Sequence, residues 1–249
     1  MTERVFFAAE NTKALGFAAA ELEKLGFHVT DTPSNEVTHL LLAAPSAISA
    51  PALSAVLDAV PKSVTVIGGK LDRPELDQYR RFDLLKNELY LAKNAAITAS
   101  SAVTIAASTL PVSLEGCPVL VLGWGRIGKC LAQLLKAMGA LVCVAARKET
   151  DRAMLSALGY DTEDIAALDY ILRRYRVIFN TVPAPVLSDR QAKHCRGDCL
   201  KIELASSPGI GGDGVIAARG LPGKYLPESS GKLIARTILK FCAQEEGML

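Results

Sequence analysis

The sequence has little of what marks several large classes of protein. Its 28 Lys and Arg nearly balance 26 Asp and Glu, leaving a formal charge of +2. Aromatic residues make up only 6% of the chain and are not interleaved with any basic cluster, so an electrostatic footprint for nucleic acid is missing. Six cysteines, at 117, 130, 143, 195, 199 and 242, are scattered rather than paired. They read as reduced thiols of a cytoplasmic protein. His194-Cys195-x3-Cys199 has no second CxxC or HxxxH to complete a ligand set, and no metal is expected. The opening MTERVFFAAENT has no long apolar core behind a basic region, which argues against a secretory signal. Two uncharged stretches are long enough to test as membrane spans, Val37 to Leu57 and Asn94 to Leu114. The first contains His39, Pro45 and Pro51, and the second Asn94, Pro111, three Thr and four Ser. Both read instead as buried strand-plus-helix segments. No internal repeat or low-complexity tail stands out.

What is present centres on residues 119–148. Val119 to Leu122 is a short apolar run suited to a buried parallel strand, and it feeds into Gly123-Trp124-Gly125-Arg126-Ile127-Gly128. In this strand-turn-helix setting the first glycine permits the tight turn and the second lets the backbone approach a pyrophosphate. The third lets helix and strand pack closely. Ile127, Leu131, Leu134, Leu135 and Met138 mark the buried stripe of the helix, Gly139 its stop, and Leu141 to Ala146 a second strand. Where an NAD-preferring chain normally places Asp or Glu at the end of that strand, Arg147 and Lys148 stand. Two cations there suit a ribose 2′-phosphate, so NADP is expected over NAD. A Rossmann fold with no retained cofactor is the alternative.

Residues 1–80 alternate as a small parallel α/β domain. Strands are expected at Val5–Ala8, Phe27–Thr30, His39–Ala43 and Val64–Ile67, with a helix capped by Asn11 or Thr12 and another over Ala52–Val60. The charged stretch 71–93 reads as a solvated helix followed by a short strand, Glu88–Leu91. Asn94 to Ser113 reads as a small-residue helix, with Thr98, Ser100 and Ser101 near its start as candidate ligand contacts. Beyond the glycines, helices are expected at 151–158, 164–175 and 188–195, strands at 177–180, 199–205 and 215–218, and a closing helix from Ser229. Thr181-Val182-Pro183 ends one strand, and Leu204, Ala205 and Ser206 end another, where an open parallel sheet presents its ligand loops. The glycine-rich 209–214 lacks the Lys-Ser/Thr of a phosphate loop and reads as a flexible turn.

LGWGRIG, AARK, NTVPAPVL, ELASSPG and GLPGKYLPESSG, in this order and spacing over about residues 88–245, resemble the A-subunit family of dipicolinate synthase. That family is related to the formate/glycerate dehydrogenase group. The resemblance implies an α/β protein of two domains. These are a flavodoxin-like N-terminal α/β domain at 1–92, completed by a C-terminal helix at 229–249 that returns to it, and a Rossmann parallel-sheet domain at 93–228. It also implies sporulation-linked, NADP-dependent oxidation of dihydrodipicolinate to dipicolinate, beside a flavoprotein-like B subunit; a homo-oligomer is expected separately. Gly123, Gly125, Arg126, Gly128 and Arg147 match the family's cofactor segment, and Asn180, Thr181 and Pro183 its strand-end turn. Leu204, Ala205, Ser206, Pro208 and Gly209 match its LAS-x-PGG segment, and Leu221, Pro222 and Gly223 its GLPG turn.

The departures are local. Thr98-Ala99-Ser100-Ser101 replaces Thr-x-Glu-Gly, Glu203 an Asp, Ile210 a glycine and Arg219 a proline. The segment between Gly209 and Gly220 is short, and Ala8-Ala9-Glu10 stands in place of a glycine-rich opening. Arg219, Pro222, Gly223 and Lys224, with Thr98, Ser100 and Ser101, are the candidate contacts for a dicarboxylate substrate. No general acid or base emerges, nor a His, Glu/Asp and Arg set of the kind an ordinary 2-hydroxyacid dehydrogenase needs. A paralogue that binds NADP but has lost turnover, acting in a regulatory or scaffolding role, is the competing expectation.

Overall fold

The computed structural model describes residues 3–245. It divides into two α/β units, the first formed by residues up to Asn94 with those from Pro222 onward, the second by Ala95–Leu221. Residues 222–228, grouped by sequence with the Rossmann domain, thus cluster with the first unit.

The first unit opens with β1 (Val5–Ala8) and α1 (Lys13–Lys24). Thr12 is the cap of α1, its hydroxyl accepting the Leu15 N–H at 3.2 Å. Ala14, Leu15, Ala18 and Leu22 form the buried stripe, as i, i+4, i+8 spacing requires. β2 (His28–Thr30), β3 (His39–Leu41), α2 (Ala50–Asp58), β4 (Thr65–Gly68) and β5 (Arg80–Asp83) follow. All strands are parallel, in the order β2-β1-β3-β4-β5, which is the flavodoxin-like arrangement. β5 is not foreseen by the sequence pattern. Its Arg80 and Arg81 are exposed, as suits an edge strand, where charge blocks further pairing. The strand expected at Glu88–Leu91 is instead the first turn of α3 (Glu88–Thr109), with the Asn87 side chain accepting the Tyr90 N–H at 2.8 Å.

The second unit contains β6 (Pro118–Leu122), α4 (Arg126–Ala137), β7 (Leu141–Ala146), α5 (Glu149–Ala157), β8 (Asp161–Asp164), β9 (Val177–Asn180), the single turn α6 (Asp189–Ala192), β10 (Leu200–Glu203) and β11 (Val215–Ala217). The sheet is parallel, in the order β8-β7-β6-β9-β10-β11. That is the doubly wound 3-2-1-4-5-6 order, which reverses between β6 and β9. Val119, Val121, Val144, Val177 and Phe179 pack on one face and Leu120, Leu122, Cys143 and Ile178 on the other, so the central strands read as continuous apolar runs. The helix expected over 164–175 does not form. Asp164 ends β8 and accepts the Ala166 N–H at 2.9 Å, after which the chain turns to a short 3₁₀ segment at Leu172–Arg174. Leu168, Ile171, Leu172 and Tyr175 are buried; their spacing imitates a helical stripe while the backbone spends them in successive turns.

α7 (Leu221–Tyr225) and α8 (Pro227–Glu245) complete the chain, and α8 packs along α1 in the first unit. A Cβ on Gly231 would sit 2.5 Å from the Ala14 carbonyl oxygen, so glycine permits this close approach. The expected returning helix is therefore present; its last expected residues, 246–249, lie outside the described ones. His39 helps to hold α8. Its Nε2 lies 3.7 Å from the Cys242 thiol, its Nδ1 2.8 Å from the Thr38 hydroxyl, and its ring stacks on Phe6. Burial, with Arg4 and Arg80 adding repulsion, lowers its pKa to about 4.

Candidate functional site

The C-terminal end of β6 leads into a corner in which the three glycines have separate physical duties. Gly123 has φ +103°, and a Cβ there would fall 2.6 Å from the Thr181 hydroxyl and 2.7 Å from Val182. A Cβ on Gly128 would lie 2.3 Å from the Gly123 carbonyl oxygen, whereas one on Gly125 would meet nothing within 4 Å. Gly125 is the N-cap of α4; no side chain caps the helix there, and its first turn has no acidic residue. The result is an exposed helix N-terminus without a side-chain cap and with open space beside Gly125. This fits the pyrophosphate of a dinucleotide. Trp124 packs edge-on to Tyr160, with Lys129 over its ring, and Ile127 joins the core. Arg126 is exposed on the first turn.

Arg147 and Lys148 follow β7 directly, and both are exposed. Their backbone is held by a residue that sequence reasoning overlooked. The Arg152 guanidinium donates to the carbonyls of Ala146 and Arg147, each at 2.9 Å, and pairs with Asp164 at 3.2 Å. Its position in the first turns of an acidic helix is the signal that could have drawn notice.

On the other side of the reversal point, the Thr181 hydroxyl and N–H both donate to the Leu122 carbonyl at 2.9 Å, tying the end of β9 to the glycine corner. Asn180, expected to contact cofactor, is fully buried behind its loop. Its amide nitrogen donates to Val182 O and to both Glu203 oxygens, and its oxygen accepts from the Val182 N–H. Val182 is half-buried, Pro183 and Ser206 are exposed, and Leu204 and Ala205 are buried.

Glu203, noted in the sequence only as a departure from the resembled family's Asp, has a structural role that the sequence does not show. Only 3% exposed, it accepts the Ala205 N–H at 3.0 Å on one oxygen and the Gly209 and Ile210 N–H groups at 2.7 and 3.1 Å on the other. It therefore fastens the loop after β10 to the loop after β9. A Cβ on Gly209 would fall 2.3 Å from the Asn180 amide nitrogen, so the glycine is needed for this knot. The 209–214 segment, expected as a flexible turn, is pinned. Gly209 O accepts from Val186 and Leu187, Gly211 N donates to Leu187 O, and Gly212 N donates to Asp189.

The candidate substrate residues are distributed over both units. Thr98, Ser100 and Ser101 lie well inside α3 rather than near a helix start, because the helix begins at Glu88. The Ser100 and Ser101 hydroxyls donate to the carbonyls four residues back, at 3.1 and 2.9 Å, and Ser101 is fully buried. Arg219 is exposed in the second unit, while Pro222, Gly223 and Lys224 belong to α7 in the first; Lys224 lies over the Tyr225 ring. His194 is exposed in the turn after α6. Interaction with the nearby Cys199 lowers the pKa of the neighbouring Cys195 thiol.

This site has known relatives. Residues 85–190 match the family model described as D-isomer specific 2-hydroxyacid dehydrogenase, NAD binding domain. The dipicolinate synthase A subunit of Bacillus subtilis (strain 168) is 30% identical over 146 residues, covering 54% of this chain and 49% of that protein. The chain thus spans about half the length of the curated relative it matches. The crystal structure of the dipicolinate synthase A subunit from Bacillus halodurans superposes with a TM-score of 0.79 at 23% identity, covering 97% of this chain and 99% of that one. The transhydrogenase of Sinorhizobium meliloti gives 0.75 at 13% identity, over 97% and 94%. The second unit accordingly has the doubly wound Rossmann fold, and residues 85–190 are similar to the nicotinamide-dinucleotide-binding domain of the D-isomer specific 2-hydroxyacid dehydrogenases. The resemblance read from the sequence holds, and the chain is a divergent protein similar to the dipicolinate synthase A subunit. Among the described residues no helix is long and apolar enough to cross a membrane.

Proposed function

We propose that the chain is an NADP-dependent oxidoreductase of the dipicolinate synthase A-subunit type, acting on dihydrodipicolinate to give dipicolinate. The observation that carries this reading is the uncapped, glycine-lined start of α4 with two exposed cations at the end of the adjacent strand. In this reading the 123–128 turn holds the pyrophosphate. Arg147 and Lys148 meet the 2′-phosphate, as charge-assisted bonds favour. Thr181–Pro183 and Leu204–Ser206 border the nicotinamide half, because a dinucleotide lies across the reversal of strand order.

A bound nicotinamide supplies the hydride acceptor. The chain's own task is then to hold the ring, keep water away and balance the two substrate carboxylates. Arg219 and Lys224 are the cations proposed for the carboxylates, with Thr98, Ser100, Ser101, Pro222 and Gly223 as further contacts. No residue is assigned as acid or base. The proposed setting is the cytoplasm of a sporulating cell, as a homo-oligomer beside a flavoprotein-like B subunit. The test is absorbance of NADPH in the near ultraviolet, with dihydrodipicolinate freshly supplied and a B subunit present. Turnover supports the proposal; tight NADP binding without turnover removes the oxidoreductase reading and leaves the cofactor reading standing.

A further inference from the structure

Glu203 does more than fasten two loops. β-register aligns Leu122, Asn180 and Glu203 on neighbouring strands, so the carboxylate sits two strands, roughly 10 Å, from the end of β6. It lies on the β9–β10 side of the sheet, opposite the strand that carries Arg147. All its hydrogen-bond partners are neutral N–H donors from Asn180, Ala205, Gly209 and Ile210, and among the described residues no cation pairs with it. The Glu203 carboxylate, met only by N–H donors, is therefore buried directly behind the loops that border the nicotinamide half in the reading above. The oxidised nicotinamide ring is cationic, and hydride addition removes that charge.

We infer that the buried Glu203 carboxylate biases the site toward the oxidised nicotinamide, making it a positioning residue for the loops and an electrostatic selector of the cofactor's redox form. The inference rests on the proposed placement of the nicotinamide half. A unit charge roughly 10 Å away, the two-strand spacing above, at an effective dielectric of about 20 corresponds to roughly a 15-fold difference between the two forms. A role confined to packing the loops weakens both forms alike, so the ratio of affinities separates the two roles.

The experiment is calorimetric titration of the full chain with NADP+, NADPH and adenosine 2′,5′-bisphosphate, which lacks the nicotinamide. Wild type is expected to bind NADP+ at least as tightly as NADPH. Glu203→Gln is expected to move that ratio roughly 15-fold toward NADPH while binding of the bisphosphate changes less than about twofold. Asn180→Ala, which retains the charge, is expected to weaken both forms with little change in ratio. Equal weakening of both forms by Glu203→Gln overturns the inference. If that variant fails to fold, the wild-type ratio decides: tenfold tighter NADPH binding overturns it. Bisphosphate binding with no nicotinamide form bound more tightly in wild type and Glu203→Gln alike also overturns it, leaving the pyrophosphate site intact. Failure of all three ligands to bind overturns the cofactor reading as well.

Discussion

The two units are built on the same doubly wound plan, and each has a first strand that turns into a helix at its C-terminal end. The corners differ in chemistry. At α1 the turn is Ala8-Ala9-Glu10-Asn11-Thr12: the Thr12 hydroxyl caps the helix, and the Glu10 carboxylate accepts the Ala43 and Ala47 N–H groups at 2.7 and 3.0 Å. At α4 the cap is a bare glycine, and the neighbouring strand ends in cations. Topology offers an anion site in both places. Side chains close it in one unit and leave it open in the other, so the ligand preference lies in a handful of residues rather than in the fold.

Exchanging those chemistries is the sharpest way to break the comparison. Gly125→Asp puts a carboxylate at the α4 corner, as Glu10 puts one at the first unit's, and there is room for the new Cβ. It should weaken dinucleotide binding on the order of 100-fold through repulsion of the phosphates, while raising helix stability by a few tenths of a kcal/mol. Titration together with thermal melting reads both; a retained affinity would place the phosphates elsewhere. Arg147→Ala should lower NADP affinity about 10- to 100-fold, the worth of a charge-assisted bond, and leave NAD binding nearly unchanged. Equal losses for both cofactors would remove Arg147 as the selector.

A pH titration separates the units by stability. His39 has a folded pKa of about 4 against an ordinary 6.5, so the unfolded chain takes up its proton first. The stability due to the neutral ring is present above pH 6.5 and is lost as pH falls toward 4, by at most about 3 kcal/mol. Denaturant melts at pH 7 and 5 should show the loss, and His39→Gln should flatten it. The smallest effect is expected from Thr12→Ala, about 1 kcal/mol from the lost cap, with dinucleotide affinity unchanged.

How far the sequence discloses all this depends on whether the needed partners are close along the chain. The glycine corner was legible because its duties are backbone duties at fixed spacing. The parallel α/β alternation of both units followed from apolar runs and helical stripes, while the flavodoxin-like arrangement of the first came only from the family resemblance. β5 was hidden because Arg80-Arg81 reads as solvent-facing while its pairing with β4 is made by tertiary contact. The 164–175 segment misled because a helical spacing of apolar residues can also be buried by turns. The Glu203 knot could not be read at all, since it joins Asn180, 23 residues earlier, to backbone donors two to seven residues later. Nothing in any one of those segments announces the others.

The packing of α8 on α1 has a consequence for the order in which the molecule is made. Residues 95–221 form an uninterrupted unit, whose folding can begin as soon as that stretch leaves the ribosome. The flavodoxin-like unit, although synthesised earlier, must wait for a helix encoded more than 120 residues later than its own strands. At roughly 5–20 residues per second, the sheet with α1 persists without α8 for about 7 to 30 seconds. During that interval it is the part of the nascent protein most in need of a chaperone.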